Sequence, residues 1–156
     1  MLAKQIEIEG RVIGENCAPY VIAEAGSNFN QNFDTARRLI DVASDSGAQA
    51  VKFQLFRADR LYPGGGEMFD IFKSVELNSD WVPRLALHAK ERGISFISSA
   101  FDPDSVDCLE AAGVPAHKIA SSETTNLQLL LKIARTRKPL IVSTGMCDMV
   151  DVEEAV

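Results

Sequence analysis

Five short apolar runs, rich in β-branched residues, recur along this chain with a helical pattern between successive runs: Tyr20 to Ala23, Ala50 to Leu55, Ile94 to Ile97, Ala116 to Ala120 and Leu140 to Ser143. No other feature restricts the fold as much, because parallel strands need crossover connections and a regular strand-helix alternation supplies them. The first helix is predicted over Phe33 to Ser46, with Ala36, Leu39, Ile40 and Ala43 as its apolar stripe, Asn32 as cap and Gly47 as stop. A second starts near Asn78-Ser79-Asp80, tolerates Pro83 in its first turn and stops at Gly93. Asp102-Pro103 caps and opens a third, which Gly113 ends. A fourth follows Thr124-Thr125-Asn126 through Leu127, Leu130, Leu131 and Ala134, and the tail MVDVEEAV starts a fifth. Leu61 to Leu77, with its Gly-Gly-Gly, reads as a loop. Ahead of the alternation, KQIEIEGRVIG changes between apolar and polar about Glu9-Gly10, which predicts a β-hairpin. Residues 1–19 are therefore expected to be the hairpin and its lead-in, and residues 20–156 the strand-helix body.

Two α/β architectures fit this alternation: an open doubly wound sheet and a (β/α)8 TIM-type barrel. The first strand leads into EAGSNFN, which has one glycine where a dinucleotide fold would have G-x-G-x-x-G. Polar residues gather at the C-terminal end of every strand: Glu24, Ser27 and Asn28; Lys52 and Gln54; Ser98 and Ser99; Lys118, Ser121 and Glu123; Ser143 and Thr144. In a barrel that end is the active-site mouth, so five strands deliver polar groups to one place. A full barrel takes about 250 residues. The expectation is a partial TIM barrel holding about the first four to five βα units, preceded by the hairpin.

Lys52 interrupts the buried-looking run GAQAVKFQLF, and Gln54 shares its face by the period of two, leaving Val51, Phe53 and Leu55 on the other. An inward ammonium is costly unless it is paired or meets an anion. Lys118 repeats the arrangement in HKIASSE. With the hydroxyls of Ser121 and Ser143, and backbone amides of Ser143-Thr144-Gly145, the two lysines suit a small anion carrying phosphate and carboxylate. A structural ion pair of either lysine with Glu24 or Glu123 fits the same pattern.

The net charge of -6, from 16 basic and 22 acidic residues, comes without a basic stripe, which argues against nucleic acid as a partner. No run approaches the roughly 20 apolar residues that cross a bilayer, and MLAKQIEIEG has no signal-peptide core, so a cytoplasmic protein with no membrane partner is expected. Cys17, Cys108 and Cys147 lack C-x-x-C spacing and read as reduced. His88 is expected on the solvent side of the second helix, and His117, opposite in parity to Lys118, outside the barrel.

The runs VIAEAGSNFNQNFDTARRLIDVASDSGAQAVKFQLF, FISSAFDPDSVDCLEAAGVPAHKIASSETTNLQLL and KPLIVSTGM together resemble the N-terminal half of the sialic acid synthase family. That resemblance implies condensation of phosphoenolpyruvate with an N-acetylated amino sugar such as N-acetylmannosamine, giving a nonulosonic acid and phosphate. It also implies that Lys52, Lys118, Ser99, Ser121 and Ser143 hold phosphoenolpyruvate, with Ser99 standing where the family usually has threonine. Glu123 matches an acid beside the reacting carbons, and Glu24, with Asn28 and Gln54, matches the sugar side. The lysine role calls for protonated amines. Ser98-Ser99-Ala100-Phe101 departs from the family's S-T-P-F, and Ser122 stands where glycine is usual.

Family members use a divalent metal, Mn or Mg, on two histidines of later strands, and a C-terminal antifreeze-like domain closes a partner's site. This chain is expected to hold no metal ligand, to be inactive alone, and to associate as a homo-oligomer. Two further readings stay open: a Schiff-base class I aldolase using Lys52 or Lys118, and a non-catalytic half barrel that only binds anions.

Overall fold

The computed structural model describes residues 4–156. Strands β1 (Gln5–Ile8) and β2 (Arg11–Gly14) form the expected antiparallel hairpin. Its two turn residues, Glu9 at φ 47° and Gly10 at φ 80°, both take the left-handed conformation that a tight two-residue hairpin demands.

Five parallel strands follow: β3 (Ile22–Gly26), β4 (Ala50–Leu55), β5 (Ser95–Ala100), β6 (His117–Ile119) and β7 (Leu140–Val142). They lie side by side in chain order. A doubly wound sheet reverses its strand order at a switch point; this sheet does not reverse, and the chain folds as a partial barrel of the TIM type. Strand β4 has a neighbour on each side, so Lys52 lies within the sheet and not at its edge.

The helices are α1 (Phe33–Asp45), α2 (Ala58–Leu61), α3 (Glu67–Ser74), α4 (Val82–Glu91), α5 (Pro103–Ala111), α6 (Leu127–Ala134) and α7 (Met149–Ala155). The expected caps form. Asn32 accepts from the Thr35 amide at 2.8 Å, Asp102 from Ser105 at 2.8 Å and Asn126 from Leu129 at 3.2 Å. Asn78 caps a single 3-10 turn, Ser79–Trp81, which runs into α4.

Three boundaries differ from expectation. The first barrel strand runs to Gly26 rather than stopping at Ala23, because Glu24, which ends the apolar run, pairs in register with Lys52. The third extends from Ser95 to Ala100 with all six residues buried, serines included. The expected loop contains α3, whose Phe69 and Phe72 stand at helical spacing and are half-buried, Phe72 against Phe56 and Tyr62, although none of its residues is fully buried.

The sheet has two apolar sides. Val51, Phe53 and Leu55 pack under the helices with Ile40, Leu85, Leu109 and Ile133. Inside the curve, Ile8 of the hairpin meets Ala50, Ile97 and Ala116, with Ile6, Ile13, Tyr20 and Ile22 around them. The hairpin thus seals the base of the barrel, at the N-terminal ends of the strands. Among the described residues no helix is long and apolar enough to cross a membrane.

Candidate active site

Register assembles the site. Glu24 lies opposite Lys52, Gln54 opposite Ser99, Ser99 opposite Lys118, and Lys118 opposite Ile141. Side chains alternate along a strand, so Glu24, Lys52, Gln54, Ser99 and Lys118 share the inward face, and Ser143, two residues past Ile141, joins them. Ser98 turns the other way. It is fully buried, and its hydroxyl donates to the Ser99 carbonyl at 3.3 Å.

Lys52 Nζ stands 2.5 Å from Glu24 Oε2; the lysine side chain is 13% exposed and the glutamate 51%. The ion pair left open by the sequence therefore exists at Lys52. A bulge between Glu24 and Gly26 turns the chain here, and Gly26 takes φ 56°. A Cβ on Gly26 would lie 3.4 Å from Glu24 Oε1 and 3.8 Å from Asn28 Nδ2, so these two side chains flank the glycine. Asn28 Nδ2 donates to the Ala25 carbonyl at 3.0 Å.

Lys118 has a different environment. Its Nζ donates to Ser143 Oγ at 2.6 Å and to the Ile119 carbonyl, and no carboxylate contacts it among the described residues. Burial pushes the amine down to about 8 from an ordinary 10.5; the charge of Lys52 pushes the same way and Glu24 partly opposes. The role implied by the resemblance calls for a protonated amine rather than a lowered pKa; the lowering departs from that expectation and narrows the pH range over which Lys118 is protonated. At pH 7 the group is still about nine-tenths protonated.

Ser121 and Glu123 occupy a 3-10 turn, Ser121–Glu123, directly after β6. The Ser121 carbonyl accepts from Cys147 Sγ at 3.6 Å, and Glu123 Oε2 accepts from Asn126 Nδ2 at 3.2 Å. Among the described residues neither side chain is bonded to Lys52 or Lys118. Thr124, which the sequence marks only as helix lead-in, is fully buried, and its hydroxyl donates to the Ser143 carbonyl at 2.7 Å.

A cleft of about 770 Å³ lies elsewhere, between the segment after β4 and α5. Its cations are matched: Arg57 meets Asp59 at 2.7 Å, and Lys73 meets Glu76 at 2.9 Å. It offers an anion less uncompensated charge than the two-lysine face does.

Neither histidine faces the site. His88 is not on the solvent side; its side chain is 14% exposed, with Nε2 2.8 Å from Asp41 of α1. His117 is fully buried on the outer side of the sheet, 2.9 Å from Glu110 of α5. Among the described residues no group of three or more His, Cys, Asp or Glu side chains is placed to hold a metal ion. These residues do not form the divalent-metal site that the resemblance implies.

The model of the NeuB family matches residues 39–156, which includes Lys52, Ser99, Lys118 and Ser143. The chain belongs to the NeuB family. As a NeuB-family chain it is 38% identical over 160 residues to the spore coat polysaccharide biosynthesis protein SpsE of Bacillus subtilis, covering 96% of this chain and 43% of that protein. It is also 38% identical over 157 residues to the N,N'-diacetyllegionaminic acid synthase of Legionella pneumophila, covering 92% and 44%. The crystal structure of an N-acetylneuraminic acid synthetase from Leptospira borgpetersenii, in complex with citrate, superposes with a TM-score of 0.92 at 30% identity, covering 97% of this chain and 53% of that one. The NeuB-family chain thus spans about half the length of the curated relatives it matches.

Proposed function

We propose that the inward face of this partial barrel binds phosphoenolpyruvate, and that the whole protein condenses it with an N-acetylated amino sugar to form a nonulosonic acid and phosphate. One observation carries the reading. Two ammonium groups, Lys52 and Lys118, share the face while, among the described residues, only one carboxylate, Glu24, touches either of them. Counted over these three groups, the balance is net positive inside a partly desolvated curve, where an anion gains more than it would in water. The names and folds of the relatives support the same reading.

Residue roles follow from the contacts. Lys118 already donates to Ser143 Oγ, so the serine's own proton is free to reach a phosphate or carboxylate oxygen. Ser99, beside Lys118 in register, and Ser121 add hydroxyl donors. At Lys52 the substrate anion competes with Glu24 for the ammonium. Once displaced, Glu24 turns to the sugar hydroxyls with Asn28 and Gln54.

The enol carbon then forms a bond to the sugar's open-chain aldehyde carbon, and the new alkoxide takes up a proton. Water adds to the phosphate-bearing carbon and loses a proton, with Glu123 as the group that relays it. The carbon–oxygen bond to phosphate breaks, leaving a 2-keto acid and free phosphate. The lysines hold charge throughout and form no covalent bond.

The lowered amine of Lys118 favours a second reading, a Schiff-base aldolase, because desolvation is how such lysines are activated. Titration calorimetry with phosphoenolpyruvate, followed by borohydride treatment with pyruvate, separates the two. The synthase reading expects saturable binding competed by inorganic phosphate and no reduced adduct. A pyruvate adduct on Lys118, or no binding of phosphoenolpyruvate, overturns it.

A further inference from the structure

Strand β6 is only three residues long, as is β7, and its single register pair with β5 is Ser99 with Lys118. Toward β7 its ladder ends where the Ser143 amide donates to the Ile119 carbonyl at 3.1 Å. In a parallel ladder the next bond would run from the amide of Ser121 to the Ser143 carbonyl. The chain has turned by then into the 3-10 turn Ser121–Glu123. The carbonyl is taken instead by a side chain, Thr124 Oγ1, at 2.7 Å; the same hydroxyl has the Ala120 carbonyl at 3.3 Å as a second, longer acceptor.

We infer that Thr124 is a positioning residue of the anion site: its buried hydroxyl continues the β6–β7 ladder past the end of β6 and so fixes the Ser143 that Lys118 contacts. The physical case rests on geometry. Thr124 is 0% exposed, so its hydroxyl has no water to bond instead. Ser143 is then held at both backbone groups, N–H by Ile119 and C=O by Thr124, which leaves its side chain aimed at Lys118 Nζ, 2.6 Å away. Removal of the hydroxyl frees the Ser143 carbonyl at the point where no backbone donor reaches it among the described residues, and the Lys118–Ser143 contact loosens.

The ligand-bound part of this inference rests on the phosphoenolpyruvate reading above, so its test has two arms. Thr124→Val removes the hydroxyl and keeps the shape; Thr124→Ser keeps the hydroxyl. In the first arm, phosphoenolpyruvate is titrated into each variant: Thr124→Val is expected to bind about tenfold more weakly than the parent, and Thr124→Ser to recover the parent's affinity. In the second arm, no ligand is used. The titration of Lys118 is followed by the NMR shift of its Cε; Thr124→Val is expected to lose protonation at lower pH than the parent, since its ammonium has lost a fixed acceptor, and Thr124→Ser to match the parent.

If the parent binds no phosphoenolpyruvate, the substrate reading fails and the second arm alone decides the role of Thr124. Equal binding by Thr124→Val and the parent, or an unmoved Lys118 titration, overturns the inference. Should Thr124→Val not fold, Thr124→Ala against Thr124→Ser reads the same difference.

Discussion

The two ends of one set of strands differ in kind. At the base, the inward positions Ala50, Ile97 and Ala116 meet Ile8 of the hairpin and close an apolar plug. Two to four residues further along the same strands, the inward positions are Lys52, Gln54, Ser99 and Lys118. Even the polar groups at the base are consumed locally: Tyr20 donates to Ser95 Oγ at 2.9 Å, and Ser95 donates to Glu9 of the hairpin turn. At the mouth, among the described residues, one carboxylate, Glu24, touches Lys52 and none touches Lys118. The difference teaches that inward parity alone does not make a site. The base spends its inward positions on packing, and the mouth keeps charge that its own residues leave unbalanced.

The largest expected effect is at the mouth. Lys118→Ala or Lys52→Ala should weaken phosphoenolpyruvate binding by about 30-fold or more, the cost of removing one partner from a desolvated charge contact, while the melting temperature changes little. A variant that binds like the parent breaks the contrast. At the base the pattern should invert. Ile8→Ala, which empties a fully buried position, should destabilise the fold by about 2–4 kcal/mol in chemical denaturation, with phosphoenolpyruvate affinity kept near the parent's in the folded population.

Next comes pH. Lys118 titrates near 8 in the free protein, and an anion beside it favours the protonated form, so the bound value is higher than the free one. With the ligand's phosphate fully ionised, above its second pKa of about 6, affinity should change little up to about pH 7 and fall as pH rises through 8, by about tenfold per unit until the bound value is reached. Calorimetry in buffers of different ionisation enthalpy should show proton uptake on binding near pH 8. An affinity that rises over this range contradicts the role given to Lys118. The smallest effect is at the hairpin lock: Tyr20→Phe should cost about 1 kcal/mol in denaturation, one net hydrogen bond, and leave binding unchanged.

Much of the geometry of the candidate site is legible in the sequence itself. The period of two placed Lys52 and Gln54 together, and the repeat of a lysine on a later strand brought in Lys118. The hairpin turn at Glu9-Gly10 and the caps at Asn32, Asp102 and Asn126 were equally direct, because each depends on residues within a few positions. What was not readable depends on distant contacts. Glu24 ended an apolar run and yet extends β3, since its place is set by Lys52 across the ladder. The lowered amine of Lys118 comes from burial and from Lys52, both properties of the folded sheet. Thr124 acquires its role from Ser143, 19 positions away. Helix α3 carries Met68, Phe69, Ile71 and Phe72 in a short helical pattern, but only two turns of it follow Gly-Gly-Gly and none of its residues is fully buried, so the loop signal outweighs it in the sequence.

The central claim is that Lys52 and Lys118 together hold one phosphorylated enol acid. The most direct measurement is NMR of the lysine Cε and Nζ signals, assigned by Lys52→Arg and Lys118→Arg, through a titration with phosphoenolpyruvate. Both signals should move with one dissociation constant, and the Lys118 pKa should rise from about 8. Saturable binding that leaves either lysine unmoved would contradict the account.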